Sequence, residues 1–175
     1  MSQYRIEDEF AVSVAQYWDY FFDPAYNHAL FKHLEIEREE IEFRTEGSGA
    51  QEIIYRTQNL VPKRALPPII QRFVTHAISY QESNIFHRKH NRIEVVTTPN
   101  FMADKIITRG SYAVQELPNS RVLRVWEGIC QCKIPLVGKK IEQQLIHEIR
   151  RSYGMTTEFT RQWIEEHPPS QPTPT

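Results

Sequence analysis

Cysteine is scarce in this chain: only Cys130 and Cys132 occur. With one residue between them on an expected strand they share a face, but are poorly placed to bond to each other. Two thiols and no others suit a reducing compartment. No run of about 18 apolar residues occurs, so no membrane-spanning helix is expected. The opening Met1-Ser2-Gln3-Tyr4-Arg5-Ile6-Glu7-Asp8-Glu9 is followed by no apolar run and does not read as a signal peptide. The expected location is therefore cytoplasmic. Excess charge of one sign is also missing. The 21 Lys and Arg against 22 Asp and Glu leave a formal net charge of −1, so no global field favours nucleic acid or an anionic membrane. Neither GxSxG nor HExxH appears, and there is no internal repeat.

What is present suits a globular fold. The 175 residues are 40% hydrophobic and 25% charged, the usual size and composition of one domain. A chain this long buries roughly 70% of its unfolded surface and needs no disulfide or metal to fold. Residues 1–166 read as that domain, and residues 167–175 as a disordered Pro-rich tail.

Residues 4–10 alternate loosely as a first strand. Ser13 is a suitable N-cap for a helix carrying Val14, Ala15, Tyr17, Trp18, Phe21 and Phe22. Asp23-Pro24 stops that helix and starts a second, with Tyr26, Leu30 and Phe31, ending near His33. Strands are predicted over residues 36–45 and 51–61, joined by the turn Glu46-Gly47-Ser48-Gly49. Ile53, Tyr55 and Thr57 share one face of the second. Leu66-Pro67-Pro68-Ile69-Ile70-Gln71-Arg72-Phe73-Val74 interrupts the β pattern as a short amphipathic helix. Strands return over 78–87, 93–98, 106–117 and 122–134, with a basic turn His87-Arg88-Lys89-His90-Asn91-Arg92 after the first of them. In the last strand Gly128 marks an expected bulge. Val137, Ile141, Leu145, Ile149 and Tyr153 then recur every four residues, and Phe159 and Trp163 extend the stripe. A helix over 137–166 would run about 45 Å, with Gly154 bending it or admitting close contact with the sheet. Sequential strands with short turns build an antiparallel meander, and the long helix is the element able to cover one face of it.

Several constellations have both a functional and a plain structural reading. Tyr55, Tyr80, Phe86, Tyr112 and Trp126 fall on plausible inward faces. They line a ligand cavity or form an ordinary packed core. Cys130 and Cys132 supply two soft metal ligands or two buried free thiols; without further Cys/His pairs at matching spacing, no metal site is expected. The basic turn contacts an anionic headgroup or is a solvated hairpin tip. No basic stripe with interleaved aromatics extends beyond it, so nucleic acid is not an expected partner. Glu82, Arg109 and Glu127 lie in strands, and any that faces inward is a candidate for a perturbed acid or base. No catalytic residue is nominated.

Three features carry a resemblance. They are the paired short helices over residues 13–31, the Leu66-Pro67-Pro68 segment before a strand, and the junction Lys133-Ile134-Pro135-Leu136-Val137-Gly138-Lys139-Lys140-Ile141-Glu142 that opens the long helix. Over about residues 3–166 the chain resembles the START-like superfamily (SRPBCC, helix-grip or birch-pollen-allergen-like fold). Within it, the chain is most similar to a bacterial family of unknown function. The resemblance implies an α+β helix-grip fold, a curved antiparallel sheet of about seven strands around a long C-terminal helix with two short helices after the first strand. It also implies an apolar cavity between sheet and helix, where members bind lipids, sterols, polyketides or quinones.

The leading expectation is binding or carriage of a small hydrophobic ligand without catalysis. The alternatives are an aromatase/cyclase-type enzyme and a structural or interaction protein with a filled core. Expected ligand-binding residues are Tyr55, Phe73, Tyr80, Phe86, Tyr112, Trp126, Leu145 and Ile149, with Ile69, Ile70, Phe73 and Val74 as a gate. Lys63, Arg64 and Arg72 would stay in water or meet anionic lipid in a transient membrane contact. No cofactor is expected.

Overall fold

A computed structural model of the chain describes residues 1–65, 67–72, 74 and 76–168. The strands are β1 (Ser2–Phe10), β2 (Ile36–Glu46), β3 (Ile53–Pro62), β4 (Tyr80–His87), β5 (Arg92–Pro99), β6 (Ile106–Leu117) and β7 (Arg121–Cys132). They form one curved antiparallel sheet in the order β1-β7-β6-β5-β4-β3-β2. The α-helices are α1 (Val14–Phe22), α2 (Pro24–His33), the single turn α3 (Pro68–Gln71) and α4 (Gly138–Glu166). This is the α+β helix-grip arrangement. The tail expectation falls mainly on residues 169–175, outside the described residues.

Strand order makes a demand on the first helices. β1 and β2 are consecutive in sequence yet lie at opposite edges. Six inter-strand steps of about 4.8 Å separate them along the sheet. Helices α1 and α2, of 9 and 10 residues, supply roughly 28 Å of length at 1.5 Å per residue to bridge that span. Their junction is tightly specified. Ser13 and Gln16 form a capping box at the start of α1. Asp23 Oδ1 accepts from Ala25 N–H at 2.9 Å, and Pro24 occupies the first turn of α2. Asn27 Nδ2 then donates to Phe21 O and Asp23 O, tying the two helices together.

The main core lies under α1. Trp18, 1% exposed, packs on Phe86 and Tyr112 at centroid distances of 4.4 and 5.7 Å. A second cluster joins Tyr26, Leu30 and Leu34 to Phe159 and Trp163 of α4. The helical stripe thus divides its work. Ile141 packs on Ile106 and Cys132 at one end, and Phe159 and Trp163 reach the α2 side at the other.

Three local expectations are corrected. Gly128 marks no bulge, since it pairs in unbroken register with Tyr4 and Gly110; the irregularity lies in β2, between Glu40 and Glu42. Of the two readings of Gly154, close contact with the sheet is overturned, because a Cβ there would meet nothing within 4 Å. Among the described residues of the interrupting segment, the helix spans Pro68–Gln71 alone, because Pro67 and Pro68 leave little room for backbone donors within so short a stretch.

Candidate ligand cavity

The sheet register brings two glycines together on the inner face. Gly110 on β6 and Gly128 on β7 stand directly opposite each other, so two neighbouring strands present no side chain there. A Cβ on Gly110 would lie 2.5 Å from Glu127 O, and one on Gly128 would lie 2.5 Å from Tyr4 Cζ. At Gly110 the obstruction is backbone and only glycine fits; at Gly128 a larger residue would have to displace the Tyr4 ring. Tyr4 on the neighbouring β1 lays its ring over Gly128, and Trp126 stacks beside it at 6.3 Å.

Beside Tyr4 and Trp126 lies a cavity of about 270 Å³ between sheet and α4. Tyr4, Tyr80, Glu82, Thr97, Thr108 and Trp126 form its sheet wall. Leu145, Glu148, Ile149, Ser152 and Tyr153 form the α4 wall. Pro62, Arg64, Ile70, Ile78 and Phe101 close one end. The middle of α4 is only half-buried at Leu145 and Ile149, whereas Ile141 one turn earlier is 2% exposed. The helix therefore spans the space without filling it.

The sheet wall is not uniformly apolar. The register aligns Gln58, Glu82, Thr97, Thr108 and Cys130 as one row across β3 to β7. Arg38 Nε donates to Gln58 Oε1 at 2.6 Å, and Gln58 Nε2 donates to Glu82 Oε1 at 2.8 Å. Asn84 Nδ2 donates to the same Glu82 oxygen at 2.9 Å. Arg56, 4% exposed, lies 4.6 Å over the Phe21 ring. Burial pulls its pKa down, opposed by the charge of Glu82.

Burial also raises the pKa of Tyr80 and of Tyr153, which therefore stay neutral as hydroxyl groups. The Tyr4 hydroxyl is pushed up to about 12 by burial, against the pull of the Trp126 indole N–H. Cys130 is pushed up to about 11 by burial and remains a thiol rather than a nucleophilic thiolate. Among the described residues, no group of three or more His, Cys, Asp or Glu is placed to hold a metal ion.

Of the residues expected from sequence, Tyr80, Trp126, Leu145, Ile149 and Ile70 meet at the cavity. Phe86 and Tyr112 do face inward, but α1 covers them and they belong to the packed core. Tyr55 lies on the outer face, under the Arg44 guanidinium at 3.9 Å. The reason is parity: β3 turns Ile54, Arg56, Gln58 and Leu60 inward, and two of those four are polar, which hides the buried face. Ile69 packs with Ile106, Cys132 and Ile141 beside the cavity rather than on its wall. Val74 is half-buried and off the wall. Phe73 lies outside the described residues.

Among the three strand charges, Glu82 and the exposed Arg109 both border the cavity, and Glu127 pairs with Arg5 on the outer side. In the basic turn, Arg88 pairs with Glu52 and Arg92 donates to Ser111. Sequence reasoning did not find Tyr4, Glu148, Ser152 and Tyr153 as wall residues. Tyr153 was visible as part of the helical stripe, but nothing in the sequence marks which turn of that stripe borders empty space.

A family model described as protein of unknown function (DUF2505) matches residues 5–164. No curated protein matches. Solved structures share the fold. A START superfamily protein from Mycobacterium smegmatis is 13% identical with a TM-score of 0.61, covering 93% of this chain and 98% of that one. The Zhui aromatase/cyclase from Streptomyces sp. R1128 is 9% identical with a TM-score of 0.58, covering 94% and 93%. Norcoclaurine synthase from Thalictrum flavum is 18% identical with a TM-score of 0.59, covering 95% and 87%.

Proposed function

Because the chain belongs to the DUF2505 family and has the fold of START-type proteins, we propose that it binds and carries one small hydrophobic molecule between sheet and α4. The observation that carries this reading is the cavity of about 270 Å³ beneath the half-buried Leu145 and Ile149. Packed interiors rarely leave voids larger than a water molecule. An engineered cavity of about 150 Å³ holds benzene, and drug-sized pockets run from about 300 Å³ upward. The space therefore suits a molecule of one or two rings, or a chain of similar bulk, drawn from the lipid, polyketide or quinone classes. A whole phospholipid exceeds it.

Access is proposed at α3, the single turn that puts the buried Ile70 on the cavity wall. Arg64 lies at the same end. A transient membrane contact belongs to this reading. Leu136 is fully exposed between Lys133 and Lys139, a pairing of apolar tip and basic flanks that suits a lipid interface. An aromatase/cyclase-type enzyme is the second reading, favoured by the carboxylate of Glu82 on the cavity wall.

Native mass spectrometry of the purified chain tests the first reading. An apolar molecule of one- or two-ring size is expected to co-purify, or to bind when added, and to be excluded by Leu145→Trp, which fills the space. A chain that stays unliganded and binds neither naphthalene nor its derivatives would sink the proposal. Turnover of an added aromatic polyketide that requires Glu82 would favour the second.

A further inference from the structure

Resting on the carrier reading, we infer that the cavity selects a ligand bearing one hydrogen-bond donor, a hydroxyl or a protonated amine, and seats that donor on Oε2 of Glu82. The two oxygens of this carboxylate are not equivalent. Gln58 Nε2 and Asn84 Nδ2 both donate to Oε1, at 2.8 and 2.9 Å. Among the described residues, Oε2 accepts no hydrogen bond, and Glu82 borders the cavity.

The support behind Oε1 is rigid. Gln58 is 1% exposed and Asn84 is 3% exposed. The amide orientation of Gln58 is set from behind, because its own oxygen accepts from Arg38 Nε at 2.6 Å. Gln58 must then present its N–H₂ to Glu82. One guanidinium therefore fixes an amide, the amide fixes a carboxylate, and that carboxylate, whose residue borders the cavity, keeps one oxygen without a partner among the described residues. Groups held in this way discriminate, since a ligand without a donor forfeits a charge-assisted bond to the half-buried carboxylate.

The rest of the wall fits a ligand that is otherwise apolar. Ile70, Leu145, Ile149 and Trp126 surround the space. A ligand carboxylate or phosphate seated at Glu82 would meet like charge there and at Glu148, whereas Arg64 and Arg109, which also border the space, carry the opposite charge. Hydroxyl and ammonium ligands share the donor chemistry and differ in charge, so one probe series separates them.

The experiment is calorimetric titration of the full chain with four naphthalenes of matched size: 2-naphthol, 2-(aminomethyl)naphthalene, 2-methoxynaphthalene and 2-naphthoate. The wild type is expected to bind at least one of the two donor probes about tenfold or more tightly than the capped methoxy compound; 2-naphthoate is the control for anion binding at Arg64 and Arg109. Glu82→Leu is expected to abolish that preference while leaving affinity for 2-methoxynaphthalene unchanged or improved. Glu82→Gln keeps the side-chain volume and an acceptor oxygen, and is expected to lose preference for the ammonium probe more than for 2-naphthol. Should Glu82→Leu fail to fold, the Glu82→Gln comparison decides alone. Equal affinity of the wild type for 2-naphthol, 2-(aminomethyl)naphthalene and 2-methoxynaphthalene overturns the inference and leaves the carrier reading standing. Failure of all four probes to bind removes both.

Discussion

Asp8 stands directly opposite Arg124 in the β1–β7 ladder, and its Oδ2 accepts a 2.6 Å hydrogen bond from Arg124 Nη2. The same nitrogen donates to Thr157 of α4 at 2.8 Å, and Arg124 is 3% exposed. One guanidinium thus fastens the edge strand, its neighbour and the long helix. Removing the carboxylate leaves a buried cation unpaired, which costs about 3–5 kcal/mol. Asp8→Ala is expected to fall in that range by urea unfolding. Asp8→Ala combined with Arg124→Met should be less destabilised than Asp8→Ala alone, and an equal or larger loss would show that the pair is not coupled.

Glu142 predicts a pH dependence of defined sign. It is 2% exposed and accepts from Ser2 Oγ at 2.6 Å and from Cys132 N–H at 2.9 Å. Burial alone would raise its pKa, but these bonds and the amino terminus hold it at about 2, below an ordinary 4.5. A depressed folded-state pKa stabilises the fold fully above 4.5 and loses that contribution as pH falls toward 2. Glu142→Gln should therefore be less stable than wild type at pH 6, by about 1–3 kcal/mol. The deficit should shrink in acid. A deficit that stays constant from pH 6 to pH 2 would show that the carboxylate charge contributes nothing.

Truncations along α4 should report the cavity directly. Ile141→Ala removes a fully packed side chain and should cost about 2–5 kcal/mol. Leu145→Ala and Ile149→Ala lose fewer contacts, because each already borders open space, and should cost about 2 kcal/mol or less. Chemical denaturation orders the three variants. Equal losses at all three sites would mean that α4 is uniformly packed.

Amide hydrogen exchange tests α3 as the gate. Elements that open to admit a ligand come from the less stable parts of a fold. The amides of Ile70 and Gln71 should exchange faster than those in the middle of α4, and should slow when a naphthalene probe is bound. Protection equal to that of α4 and unchanged by the probe would make α3 a fixed plug.

The elements with strong local signals were legible in the sequence. Ser13, Asp23 and Pro24 mark helix ends by hydrogen-bond chemistry, and the four-residue repeat from Ile141 to Tyr153 marks the long helix. The inward face of β3 was not legible, because Arg56 and Gln58 occupy positions that hydrophobicity reads as solvent-facing. Their burial is stabilised by partners on other strands and helices, Arg38, Glu82 and Phe21, and such partners are invisible until the register is known. The same blindness separated Tyr80 from Phe86. Both sit at even positions of β4, yet α1 covers only the second. Glu82 could be named as an inward-facing candidate, but its selection over Glu127 required strand parity in three dimensions.

The pairing of β1 with β7 also governs the order in which this molecule can assemble. Some 110 residues of chain separate Phe10 from its partner Val122. During synthesis the first strand must wait for β7, its neighbour in the sheet, until nearly three-quarters of the chain has emerged. The hairpins from β2 to β7 close locally and can form ahead of it. Docking of β1 and α4 is then a late event, and since both flank the Tyr4 and Trp126 wall, the binding space is among the last parts of the protein to come into being.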